Sequence, residues 1–424
     1  MGDLNHLDAT EIAEGVRTGR FTATAVMRDC LDRIEARERD VGAFAHLDPE
    51  AAMAAAKAAD SQDDKGPLHG VPFGIKDIMD TDFAPTGWGY AAYADHRPAR
   101  NAVCVELFLA AGAVPVGKTV STEFAYFNPG KTANPANLAH TPGGSSSGSA
   151  AAVADHMLPL AFGTQTAASL IRPAAFCGVM AYKSTRGHLD LGGVMGLSGS
   201  LDSLGLLARS ARDLTFGRAV LSGAPGVASA FAERPPRLAL MRGPHWQDGT
   251  MEMREVCLSA ADQLRAAGAD VAEMAHPDVF ERLTDAHKTV MAYEAARARI
   301  YELRHFRDQI SAQFLTLAEA GAALDWATYT DALNIRDTAL RLLTPAFLEF
   351  DGLVTPAAPG PAPQGLDATG DPLFSRDWTL MGLPAVAVPA ARTPLPQAIQ
   401  LVGPQMGDDR LLAVADWVAA RLGD

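Results

Sequence analysis

Residues 141–154, TPGGSSSGSAAAVA, run without a break from a Gly/Ser loop into a string of small residues. Small side chains let backbones approach closely, so the string suits a tightly packed helix. The loop that opens it can bring hydroxyls and amide N–H groups together at one point. A flexible linker has the same composition, but linkers join domains, and this stretch lies inside a strongly apolar region. The chain must therefore build a dense scaffold around it.

The flanking pattern predicts that scaffold. Val26, Cys30 and Ile34 recur at helical spacing after a cap at Thr22 or Thr24, and Asp48 to Asp60 is an alanine-rich helix. GPLHGVPFGIKD, residues 66–77, reads as a short strand that delivers a lysine into a site. A helix through Val105, Leu107, Phe108 and Leu109 stops at Gly112 and feeds a strand over 113–116. Strand-like runs return over 352–356, 385–389 and 399–403 before a final helix over 408–422. Strands at both ends of the chain imply one shared sheet.

We therefore expect an α/β fold: a single domain, residues 1–424, with a central mixed β-sheet covered by helices on both faces. Within it, residues 61–215 form the core and residues 346–424 return to the same sheet. Residues 225–345 read as mostly amphipathic helix, an elaboration that covers the sheet and shapes a pocket. Internal repeats and long polar linkers are not apparent.

A hydrophobic content of 48% permits a large core, and a formal net charge of −14 disfavours nucleic acid and anionic membrane surfaces as partners. A small-molecule ligand fits better. The first residues lack a signal-peptide pattern, and no apolar run reaches the roughly 18 residues of a membrane span, so a cytoplasmic protein is expected. Cys30, Cys104, Cys177 and Cys257 match neither a disulfide framework nor a zinc spacing and are expected as free thiols. The histidines form no HExxH or HxH pair, so no metal and no cofactor are expected.

Two loops can carry chemistry. The first contains GxSxG, residues 144–148, centred on Ser146, which is the pattern of a nucleophile elbow; His245, His276, His287 and His305 lie downstream as potential bases. An elbow needs a buried strand before it, whereas NLAHTPGG leads in here. The second loop, GTQTAAS over 163–169, ends a run of small residues in Ser169, whose preceding amides can face the oxygen of a carbonyl under attack. Arg172 and Pro173 would stiffen that turn.

GPLHGVPFGIKD, NPANLAHTPGGSSSGSAAAVA (134–154) and GTQTAASLIRPAAFCGVMAYKST (163–185) together resemble, in order, the three hallmark segments of the amidase signature family. The resemblance continues through SGSLDSLGLLARSARDL (198–214), LVTPAAPGPAP and GLPAVAVPA, and lapses over about 225–345. It implies hydrolysis of a carboxylic amide or urea-like C–N bond through an acyl-enzyme, releasing ammonia or an amine. The implied roles are Lys76 as base, Ser145 on a cis peptide as relay, and Ser169, 24 positions later, as nucleophile. The amides of Thr166, Ala167 and Ala168 are the implied oxyanion hole. This loop departs from the family's frequent GTDTGGS at Gln165 and at Ala167-Ala168, and its arginine sits one place later, at Arg172.

Phe124, Ala125 and Tyr126 are expected to line the substrate pocket, with Tyr293 as a further contributor. A homodimer is compatible with these readings. Two alternatives stand beside the amidohydrolase. One is the glutaminase component, known as the A subunit, of a tRNA-dependent amidotransferase, against which the short chain and the altered second loop argue. The other is a non-catalytic binding relative.

Overall fold

In the computed structural model, which describes residues 3–63, 65–224, 234–392 and 394–422, local signals resolve into elements much where their chemistry places them. Thr22, not Thr24, caps the helix Ala23–Val41, its hydroxyl accepting from the Ala25 amide at 3.0 Å. Asp48 does the same for Pro49–Asp60, accepting from Ala51 at 3.0 Å. The last helix is Asp408–Leu422.

Eleven strands share one sheet: β1 Phe44–Leu47, β2 Pro72–Lys76, β3 Val114–Thr119, β4 Leu160–Gln165, β5 Met180–Lys183, β6 Ser203–Ala208, β7 Arg237–Met241, β8 Asp270–Met274, β9 Gly352–Pro356, β10 Ala385–Ala391 and β11 Gln397–Val402. Their order is β1-β3-β2-β4-β6-β5-β10-β11-β9-β7-β8. The sheet is mixed. β3, β2 and β4 run parallel, as do β9, β7 and β8, and the antiparallel pairs from β4 to β9 join these groups. Every residue of β2, β4, β5, β6, β9 and β11 is buried. Because successive strand side chains point to opposite faces, both faces of this sheet are covered.

The alanine-rich helix Ser147–Ala154 packs on β2, β3 and β4. Its density explains the small residues: a Cβ on Gly148 would sit 2.1 Å from the Ala43 carbonyl oxygen and 2.3 Å from the Val120 nitrogen.

Two sequence readings need correction. The segment 225–345 holds the strands β7 and β8 as well as helices; β8 lies at the sheet edge with only Val271 of its five residues buried, so it carries little of the apolar signal that marks a strand. Residues 225–233 of that segment lie outside the described residues, as do the two residues at each end of the chain. The second loop is also shorter than it reads. Gly163, Thr164 and Gln165 belong to β4, and only Thr166–Leu170 turn.

Among the described residues no helix is long and apolar enough to cross a membrane. The four cysteines are buried and unpaired.

Candidate active site

The ends of β2 and β4 bring Lys76 and Gln165 to the same edge of the sheet, and the Gly/Ser loop crosses in front of them. Lys76 is fully buried, with Nζ 2.7 Å from the Ser145 hydroxyl and 2.8 Å from the Thr164 hydroxyl on β4. Burial disfavours the ammonium form and brings its pKa down to about 7, although the negative charge of Asp202 pulls the other way. A near-neutral amine hydrogen-bonded to a serine hydroxyl can accept that hydroxyl's proton. Thr164 accepts one Nζ–H, which leaves the nitrogen lone pair for Ser145.

Ser145 follows a cis peptide with Gly144. The carbonyl of Gly144 accepts from Arg172 Nη2 at 2.7 Å, and the same guanidinium reaches the Gly370 carbonyl at 2.5 Å and the Thr369 hydroxyl at 3.1 Å. Arg172 therefore ties the Gly/Ser loop to the helix Ile171–Cys177 and to the 369–370 turn. Gly143 has φ +82°, and a Cβ there would lie 2.8 Å from Pro173 Cα, so glycine is required on both counts.

Ser146, the centre of GxSxG, faces away from any histidine. Its hydroxyl bridges the Thr164 backbone, donating to the carbonyl at 3.4 Å and accepting from the amide at 3.3 Å. The four downstream histidines are engaged elsewhere: His245 with Asp248 and Thr284, His276 with the Pro277 carbonyl, His305 against Tyr301, and His287 as described below. Among the described residues the geometry contains no serine–histidine pair for an elbow.

Ser169 lies in the turn after β4, and its hydroxyl has no protein hydrogen-bond partner among the described residues. It lines a narrow cleft, of about 10 Å³, together with Thr166, Ala167, Arg172, Tyr126 and Met291. The amides of Ala167, Ala168 and Ser169 are likewise taken by no backbone carbonyl or side chain among the described residues.

Gln165 accounts for the turn's shape. Its Oε1 accepts from the amides of Leu170 and Ile171 at 3.0 and 3.1 Å, and its Nε2 donates to Thr379 at 3.0 Å. A carboxylate could accept the first two bonds but not donate the third. Thr379 in turn donates to the Ala167 carbonyl at 2.8 Å.

Of the residues expected in the pocket, Ala125 and Tyr126 line the cleft. Phe124 does not. It is fully buried, its backbone at φ +48° and its ring packed between Tyr90 and Phe314 at 4.6 and 5.0 Å. Tyr293 is also displaced from the cleft, stacked on Tyr329 at 4.3 Å under the Arg297 guanidinium.

Sequence reading missed Thr164, Asp202 and Arg376, and it weighed His287 only as a base for Ser146. Asp202 accepts from the Thr166 hydroxyl at 2.5 Å and from the Leu197 and Ser198 amides at 2.8 and 2.9 Å. Fully buried His287 contacts the Thr166 carbonyl through Nε2 at 2.8 Å and Arg376 through Nδ1 at 2.9 Å. Arginine only donates, so Nδ1 accepts and Nε2 carries the proton that Thr166 receives. Burial, then the Arg376 charge, brings its pKa down to about 3, so it stays neutral at working pH.

His287 thus orients the peptide that carries the free Ala167 amide. We expect His287→Ala to lower kcat about tenfold with little change in KM, and His287→Gln, which keeps a donor, to recover most of it. Steady-state kinetics on both variants check this.

Similarity to known proteins points the same way as this geometry. Residues 25–412 match the family model described as Amidase. The A subunit of the Glutamyl-tRNA(Gln) amidotransferase of Chloroflexus aggregans is 31% identical over 98% of this chain and 96% of its own length. A solved structure described as a crystal structure of amidase aligns with TM-score 0.90 and 30% identity, covering 98% of this chain and all of the other. Native peptide amidase from Stenotrophomonas maltophilia aligns with TM-score 0.83 and 27% identity over 98% of this chain and 96% of its own. A family match spanning nearly the whole chain, on a sheet of the same architecture, means that this chain belongs to the amidase family.

Proposed function

We propose that this protein is an amidohydrolase in which Ser169 is the nucleophile, Ser145 the proton relay and Lys76 the base. The observation that carries this reading is the buried Lys76 amine 2.7 Å from the Ser145 hydroxyl, on a loop whose next amide, that of Ser146, donates to the Ser169 carbonyl at 3.3 Å. As substrate enters, the free Ser169 hydroxyl turns to Ser145; such contacts often close only in the complex.

Ser169 Oγ then bonds to the carbonyl carbon. Its proton passes to Ser145 Oγ while the Ser145 proton passes to Lys76 Nζ. Negative charge that develops on the carbonyl oxygen is met by the free amides of Ala167 and Ala168, with Thr166 as a further donor. Collapse breaks the C–N bond, and the proton returns from Lys76 through Ser145 to the leaving nitrogen. Water attacks the acyl-Ser169 ester by the same route and releases a carboxylic acid. This chemistry calls on no metal or cofactor. The acidic charge balance supports a small-molecule amide as substrate over nucleic acid or an anionic membrane surface, and we read the protein as a cytoplasmic enzyme able to form a homodimer.

A second reading, the glutaminase component of a tRNA-dependent amidotransferase, is favoured by the similarity to the Chloroflexus aggregans protein. Chain length does not exclude it, since 96% of that relative is covered. Ammonia release from small aliphatic amides, aryl amides, carboxylated ureas and glutamine separates the two. The amidohydrolase reading expects the chain alone to turn over simple amides; glutamine hydrolysis that appears only with a partner and charged tRNA would favour the second.

A further inference from the structure

A second chamber, of about 220 Å³, adjoins the Ser169 cleft, and Ala125, Thr166 and Leu197 face both. Its walls are Ile78, Leu191, Val194 and Met195; its floor is Thr164, the partner of Lys76, with Asp202. The walls are held by backbone bonds. Met195 donates to the Ile78 carbonyl at 2.8 Å, Asp80 to the Gly193 carbonyl at 2.8 Å, and Val103 to the Gly192 carbonyl at 2.9 Å. Asp202 spends its two oxygens on the Thr166 hydroxyl and the Leu197 and Ser198 amides, and it stands as the acidic group at the floor.

A preformed apolar volume with few polar groups is the usual form of a small-ligand pocket. The volume accommodates a phenyl-sized group or a branched alkyl group, and the carboxylate at its floor disfavours an anion.

We propose that this chamber sets substrate choice: the enzyme hydrolyses uncharged amides that carry an apolar group of ring size near the scissile bond, and that group lodges against Val194 and Met195. This rests on the hydrolase reading above and names its substrate class. The volume available to the group, and with it selectivity, is then controlled by residues 191–197, which take no part in the proton relay.

The test compares an anilide and a phenylacetamide with acetamide and propionamide in the wild type, Val194→Trp and Met195→Ala. One poorly accommodated methylene changes kcat/KM by roughly 10–200-fold in such pockets. We expect at least one aryl amide to exceed the small amides by about 100-fold in the wild type. Val194→Trp should remove most of that advantage while leaving propionamide hydrolysis within about threefold, and Met195→Ala should shift preference toward a bulkier ring.

Fluorophosphonate labelling of Ser169 monitors folding of each variant. A wild type that prefers acetamide, or a fully labelled Val194→Trp that loses large and small amides equally, would overturn the proposal and leave the hydrolase reading intact. No turnover of any amide together with no label on wild-type Ser169 would overturn both.

Discussion

Ser169→Ala should abolish amide turnover, lowering kcat by about five to six orders of magnitude, the loss seen when a serine nucleophile is removed from a relay that acts as a unit. The fold should not notice. The Ser169 hydroxyl lines the cleft and has no protein partner among the described residues, so its deletion strands no buried donor and opens no core cavity. The expected change in stability is within about 0.5 kcal/mol. Kinetics and thermal melting of the same preparation separate a lost nucleophile from a lost structure; residual turnover above about a hundredth of wild type would move the nucleophile elsewhere. Ser146→Ala makes the opposite comparison. Its hydroxyl links the Gly/Ser loop to the Thr164 backbone, so that variant should lose stability, about 1–3 kcal/mol.

Lys76→Met should be nearly as damaging to turnover, about four orders of magnitude or more, because the relay then has no base. Methionine has a similar linear shape and removes the desolvation that the buried amine suffers, while leaving the Ser145 and Thr164 hydroxyls without their shared partner. The pH profile carries the diagnostic sign. Burial brings the Lys76 pKa down to about 7, so the ammonium form dominates below that pH and cannot accept the Ser145 proton. In the wild type, kcat/KM should therefore rise about tenfold per pH unit on the acid side and level off above about 7. The residual activity of Lys76→Met should show no such limb. Asp202→Asn is a useful companion: its negative charge holds the lysine pKa up, so the limb should move to lower pH when it is neutralised.

Much of this was legible because three long segments each bind a chemical group to a local structure. The run ending in Lys76 is apolar and punctuated by Gly and Pro, and it forms the fully buried β2. The Gly/Ser loop passes into small residues, and those form a helix packed so closely that a carbonyl oxygen lies 2.1 Å from where a Cβ on Gly148 would be. The contacts that stayed hidden act across long sequence separations. His287 reaches Thr166 from 121 positions away, and Thr379 reaches Ala167 from 212. Neither has a local pattern to betray it, and a buried histidine is commonplace in a core.

Phe124 misled for a related reason. It directly precedes two residues that do line the cleft, whereas its own ring packs inward on Tyr90 and on Phe314, 190 positions away, a contact no local pattern announces. β8 escaped because an edge strand with one buried residue of five lacks the apolar alternation of its neighbours. Gln165 read as a departure from the common acidic residue, yet its amide oxygen accepts from two backbone donors, as a carboxylate could, and its nitrogen adds a third bond.

Peptide mapping by mass spectrometry after reaction with a fluorophosphonate tests the central claim most directly, since the reagent bonds to an activated serine oxygen. The relay described here predicts a single adduct on Ser169 in the wild type, strongly slowed in Lys76→Met and absent in Ser169→Ala. An adduct on Ser146, or labelling of Ser169 that proceeds as fast without Lys76 as with it, would contradict it.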